Sequence, residues 1–269
     1  MPVDHYENFP VASILLPRPL RRPVELVYRF AREADDFADE GDLSDAERLE
    51  KLRAYDEDLV RIASGRSPHT PWFPELAALI RERQLPVPLF RDLLSAFSQD
   101  VVKKRYDSYP ELLDYCRRSA NPVGRLLLHL YSAASDENLQ RADAICSSLQ
   151  LINFWQDVAI DWKKNRIYIP QDDMLRFGVS ERTIATGDST APWRSLMEFQ
   201  VNRTRTLMAS GESLGRALRG RIGLELRMII AGGNRILDKI ELVRGDVLRH
   251  RPVLRRSDWL RMLAKALLP

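Results

Sequence analysis

The chain has 269 residues, 45% hydrophobic and 29% charged, with a net charge of +3. That balance excludes a disordered polymer and gives no electrostatic case for a nucleic-acid partner. Two cysteines, Cys116 and Cys146, with no CxxC, exclude a disulfide framework and suit a reducing compartment. MPVDHYENFP lacks the basic and apolar segments of a secretory signal, and no apolar run approaches the ~18 residues of a membrane span, so a cytoplasmic protein is expected.

Helical periodicity runs through the chain and strand alternation is nearly absent. Pro17, Pro19 and Pro23 punctuate the approach to a helix reaching about Glu40. SDAE, 44–47, is a capping box that opens a second helix over 44–64. SGRSPHTP reads as a loop, and Thr70-Pro71 suit the start of a short helix through ELAALIRER. Further helices are expected over 88–105, 109–119 and 122–134, the last two separated by Asn121-Pro122. A helix from about Asp136 to just past Asp161 follows, then RIYIP (166–170), extended but too short for a sheet. Long helices near 192–218 and 221–243 come next. Gly232-Gly233 lie in the middle of the second, where each costs roughly 1 kcal/mol relative to Ala, so close packing or a kink is expected there. The sum is an all-α single domain over 1–269 with roughly ten helices.

Two acidic constellations carry the chemistry. QLINFWQDVAIDW, 150–162, sets Asn153, Asp157 and Asp161 four residues apart on an otherwise apolar helix. A narrow polar line on an apolar cylinder predicts an interior helix whose carboxylates face a cavity. RFAREADDFADE, 29–40, stacks Asp35 over Asp39 and Asp36 over Glu40. Each like-charge pair destabilises a helix by roughly 0.2–0.5 kcal/mol, here at the end where the helix dipole is also unfavourable. Buried carboxylates need a partner or a metal, and two facing lines of oxygen ligands suit Mg²⁺ held together with substrate phosphates. Arg32, one turn before Asp35, is placed to reach the same phosphate. Lys103, Lys104 and Arg105, and Lys163, Lys164 and Arg166, are further basic clusters. The scattered histidines do not suit zinc, and no phosphate-binding glycine loop or nucleophile elbow is present.

Three stretches, LLPRPLRRPVELVYRFAREADDFADE, KKRYDSYPELLDYC and QLINFWQDVAIDWKKNRIYIP, give the chain a resemblance to the squalene/phytoene synthase family over most of its length. The resemblance implies an isoprenoid-synthase helical bundle in which two aspartate-rich helices face a central cavity and grip diphosphate through Mg²⁺. It places Asp35, Asp36 and Asp39 on the first metal motif and Asn153, Asp157 and Asp161 on the second. The catalytic set is then Asp35, Asp39, Asp157, Asp161 and the cavity tyrosine Tyr28. Substrate contact is expected from Arg32, Asn8, Lys103, Arg105, Gln150, Asn153, Gln156, Arg166 and Tyr168. The implied chemistry is ionisation of a prenyl diphosphate, with capture of the cation in a dry pocket.

The departures bear on the substrate. A serine-rich N-terminal segment is replaced by NFPVAS, YCxYVAGxVG becomes YCRRSANPVG, and the arginine that precedes the second motif's first aspartate is Gln156. ENFPVAS followed by FAREADDFADE resembles the branch of bacterial hopanoid pathways that turns presqualene diphosphate and water into hydroxysqualene. The alternative is condensation of two farnesyl or geranylgeranyl diphosphates to presqualene diphosphate, squalene or phytoene. Outside enzymology, the fold would suit an assembly factor or a lipid carrier. Expected partners are the prenyl diphosphate and other enzymes of the pathway. The C-terminal run of Arg249, Arg251, Arg255, Arg256, Arg261 and Lys265, interleaved with Trp259, Leu260, Leu263 and Leu267, suits peripheral contact with a membrane.

Overall fold

The computed structural model describes residues 16–267. The NFPVAS segment and Asn8 therefore lie outside the described residues. Among the described residues the architecture is all-helical, with α1 (Arg18–Asp39), α2 (Asp45–Ala63), α3 (Phe73–Arg83), α4 (Val87–Val102), α5 (Tyr109–Ser119), α6 (Asn121–Leu130) and α7 (Asp136–Gln156). There follow α8 (Val158–Lys163), α9 (Gln171–Arg176), α10 (Glu181–Thr186), α11 (Ala191–Gly211), α12 (Leu214–Ala217), α13 (Gly220–Leu242) and α14 (Arg256–Leu267). RIYIP is extended, as expected, and contributes an isolated parallel bridge between Arg105 and Ile167. None of the described helices is long and apolar enough to cross a membrane.

Local chemistry explains most boundaries. Ser44 accepts from the Glu47 amide while Glu47 accepts from the Ser44 amide, a complete capping box at the start of α2. Ser108, Ser135 and Thr190 cap α5, α7 and α11 through their side-chain oxygens. Three expectations need correction, and two short helices went unread. Helix α1 begins at Arg18 and carries Pro19 in its first turn, where no intrahelical N–H is needed. The helix expected over 192–218 ends at Gly211 and resumes as the single turn α12. The helix expected to run through Asp161 breaks at Asp157. The six-residue helices α9 and α10 are too short to show a full amphipathic period.

The apolar residues gather into two cores. One joins α1–α4 with α6 around Phe30, Tyr55, Phe73 and Phe90. The other surrounds α7, which packs against α5, α6, α11 and α13. Trp155 in α7 is fully buried, and its indole N–H donates to Thr204 Oγ1 at 2.8 Å. Gly232 and Gly233 are buried, and a Cβ at Gly233 would meet Leu149 Cδ2 at 3.0 Å and Met208 Cε at 3.2 Å, so Gly233 marks close helix packing. Asn121, an oddity of the sequence, is also buried and accepts from Ser147 Oγ at 2.8 Å.

Candidate active site

The first acidic line occupies the last turns of α1 and the second spans the junction of α7 and α8. Asp157 is the hinge residue between those two helices, at φ −107° and ψ 13°. Its carbonyl accepts from the amides of Ile160 and Asp161, so the backbone turns without losing its hydrogen bonds.

Residues 163–166 bring the two lines together. The backbone amides of Lys164 and Arg166 both donate to the Asp161 carbonyl, at 3.0 and 2.8 Å. The Arg166 guanidinium reaches across to fork the Asp39 carboxylate at 2.6 and 2.9 Å, and Lys164 Nζ donates to the same carboxylate at 3.2 Å. The Arg166 side chain thus ties Asp39 to the turn that follows Asp161, close enough for the Asp39 charge to raise the Asp161 carboxyl. On α1, Arg32 pairs with Asp36 at 2.8 Å and approaches Asp35 at 3.9 Å. On the far side, Arg251 forks Asp157 at 2.5 and 3.1 Å.

The electrostatics follow from this layout. Burial, with the neighbouring charge of Asp39, pushes the Asp35 carboxyl up to about 7, although the 43% of its side chain that stays exposed tempers the effect. Burial, with the Asp157 charge, pushes Asp161 up to about 7 against the pull of Arg166 and Lys164. Burial also acts to raise Asp39, but Arg166 and Lys164 outweigh it and hold that carboxyl below its ordinary range. The second line is less enclosed than its sequence suggests. Helix α7 is interior, yet Asn153 is exposed and Asp157 half-buried, because the polar line occupies the strip of α7 left uncovered by its packing partners.

The other expected residues divide. Tyr28 lies half-buried on α1 one turn before Arg32, and Gln150 half-buried on α7 one turn before Asn153. Tyr168 is buried and stacks on Phe154 with ring centroids 3.7 Å apart. Lys103 turns to Glu111, and Arg105 to Glu181 (2.7 Å) and the Asn165 carbonyl (2.6 Å), so local pairs rather than the aspartates engage both. Gln156 is fully buried and donates to the carbonyl of Pro252, the residue after the arginine that forks Asp157.

Three neighbours were not read from the sequence. Arg251 sits in what looks like a plain basic tail. Asp100 on α4 is buried beneath Arg166, its carbonyl accepting from Arg166 Nη2 at 3.1 Å and its carboxylate from the hydroxyl of Tyr115 at 2.5 Å. An acid within the apolar run AFSQDVV was the available signal for Asp100. Tyr115 stands in the quoted motif YCRRSANPVG without a distinguishing pattern.

Among the described residues no three carboxylate, histidine or cysteine side chains form a ready-made metal cage. The donor set still fits Mg²⁺, which binds through one or two carboxylates and takes its other ligands from phosphate and water. Asp35 and Asp161 are held among like charges that a divalent cation would neutralise.

Comparison with known proteins identifies the family. The model of the family described as squalene/phytoene synthase matches residues 3–258. A hydroxysqualene synthase of Rhodopseudomonas palustris is 34% identical over 237 residues, covering 87% of this chain and 80% of the relative. A phytoene synthase of Arthrospira platensis is 28% identical, covering 97% of this chain and 87% of the relative. The crystal structure of squalene synthase HpnC from Alicyclobacillus acidocaldarius superposes with a TM-score of 0.83 at 36% identity, over 90% of this chain and 91% of that one.

Proposed function

The chain belongs to the squalene/phytoene synthase family, and from that premise we propose that it is a hydroxysqualene synthase, converting presqualene diphosphate and water to hydroxysqualene and diphosphate. The observation that carries the reading is that Arg166, in the turn after Asp161, forks Asp39 on the other acidic helix, with the Asp39 charge acting on the Asp161 carboxyl. Asp35, Asp39, Asp157 and Asp161, with Asp36 and Asn153 beside them, would hold Mg²⁺. Bound there, the cation would supply the positive charge that stabilises departing diphosphate. Arg32, Arg166 and Lys164 flank the same space and add guanidinium and ammonium donors for the phosphate oxygens. Tyr28 and Gln150, one turn along from Arg32 and Asn153, belong to the same substrate-facing set. The apolar residues of α7 and α11 exclude bulk water from the cation that ionisation leaves behind.

Purified protein incubated with presqualene diphosphate and Mg²⁺ is expected to release diphosphate and hydroxysqualene, and recovery of unchanged substrate overturns the reading. The second reading, condensation of two farnesyl or geranylgeranyl diphosphates, is favoured by similarity to the phytoene synthase over nearly the whole chain. Turnover of farnesyl diphosphate alone decides for it. A non-catalytic assembly factor or carrier would release no diphosphate from either substrate. Contact with a bilayer is part of the same proposal: Leu260 and Leu263 of α14 are exposed beside exposed Arg256 and Arg261. Co-sedimentation with anionic vesicles, weakened by Leu260→Ser with Leu263→Ser, tests it.

A further inference from the structure

Two neighbouring residues at the α7–α8 junction grip two neighbouring residues of the segment 243–255, which joins α13 to α14. The Gln156 side-chain amide donates to the Pro252 carbonyl, and the Asp157 carboxylate accepts from Nε and Nη2 of Arg251 at 2.5 and 3.1 Å. Gln156 is 1% exposed and Pro252 is buried, so the link between them is shielded from water. The segment is tied down on both sides of this double link. The Trp193 indole N–H donates to the Gly245 carbonyl and Lys239 Nζ to the Val253 carbonyl, each at 2.8 Å. Beyond them Asp258, 2% exposed, accepts from the Arg255 amide and pairs with Arg235 and Lys239, each at 2.7 Å. Residues 243–255 therefore form a strap drawn against the second acidic line, with Arg251 aimed at Asp157.

The family's arginine immediately before this aspartate is the neutral Gln156 here. The strap brings a guanidinium to the carboxylate instead. A bidentate fork engages both oxygens of Asp157 and offsets its charge. A divalent cation arriving at the second line meets that positive charge and an aspartate already held. Resting on the reading that the acidic lines hold Mg²⁺, we propose that Gln156 is a positioning residue: by pinning the strap at Pro252 it keeps Arg251 on Asp157 as an internal counter-ion that Mg²⁺ must displace. The pinning matters because a long arginine side chain gives up rotamer freedom on pairing, and a backbone fixed at the adjacent residue reduces the further freedom lost. Loosening the strap weakens the fork, and the affinity of the second line for Mg²⁺ rises. The strap thus sets the Mg²⁺ concentration at which that line loads.

The experiment titrates Mg²⁺ into the full chain without substrate, by calorimetry, for wild type, Gln156→Met, Arg251→Ala and the double variant. Removing the opposing charge in Arg251→Ala is expected to tighten Mg²⁺ binding by about tenfold, and loosening it in Gln156→Met by about threefold. The double variant binds no more tightly than Arg251→Ala, because Gln156 acts through Arg251. A residue with a merely structural role would weaken metal binding when replaced, so a gain separates the two. Unchanged or weaker binding in folded Arg251→Ala, or a Gln156→Met gain that persists beside Arg251→Ala, overturns the inference and leaves the reading of the acidic lines intact. Absence of Mg²⁺ binding from all four proteins overturns both. If Gln156→Met shows no thermal transition, Gln156→Asn, one methylene shorter, decides in its place.

Discussion

Asp35 and Asp161 each bind a proton more tightly in the folded chain than at the ordinary carboxylate value of 3.8, with folded values of about 7. Between roughly pH 4 and 7 the folded state therefore holds the extra protons, and the metal-free protein loses stability as pH rises through that window. Mg²⁺ competes with those protons. The rise in Tm caused by Mg²⁺ is thus expected to be larger at pH 8 than at pH 6, and Asp161→Asn should flatten the difference, as read by thermal shift without substrate. Arg251 tests the other side of the site. Its fork on Asp157 is half-buried, so Arg251→Ala is expected to cost about 1–3 kcal/mol of metal-free stability, measured by urea unfolding. The aspartates were legible because like charges repeating every fourth residue defy ordinary helix economics. Asp100 and Arg251 were not, because a single acid or base has no period, and the pairing of Arg251 with Asp157 spans 94 positions in sequence.

At the level of the helices, caps and breakers were the readable part. Ser44 and Glu47 announce the start of α2, and Ser44→Ala is expected to lower stability by about 1 kcal/mol in urea unfolding. The close approach of α11 to α7 was hidden. A Cβ at Gly211 would lie 2.5 Å from the Arg141 carbonyl oxygen and 2.8 Å from Ile145 Cγ1. Gly211→Ala must push two helix backbones apart, at a cost of about 1–3 kcal/mol, despite the better intrinsic helix propensity of Ala. The break at Asp157 escaped sequence reading because the four-residue polar spacing continues through it, while the turn itself is a property of one residue's backbone.

Across the whole molecule, Arg166 does more than face the aspartates. Its side chain joins α1, which belongs to the N-terminal core, to the extended segment that follows α8 in the other core, and its donation to the Asp100 carbonyl reaches α4. Only 9% of that side chain is exposed. Among the described residues, Arg166→Ala leaves Asp39 paired with Lys164, and it is expected to destabilise the metal-free protein by about 3–5 kcal/mol, with part of the loss recovered on adding Mg²⁺. Helical class and the pair of acidic helices could be read from sequence, since both rest on local periodicity. The meeting of the two cores could not, since it depends on side chains more than a hundred residues apart.

The thiol of Cys116 is fully buried beside Tyr115, and burial pushes its pKa well above the ordinary range. A thiolate forms there only when the surrounding helices part. Alkylation of Cys116 therefore acts as a clock for transient opening of the same wall that would shield a reactive hydrocarbon from solvent. A ligand that slows the clock tightens that wall.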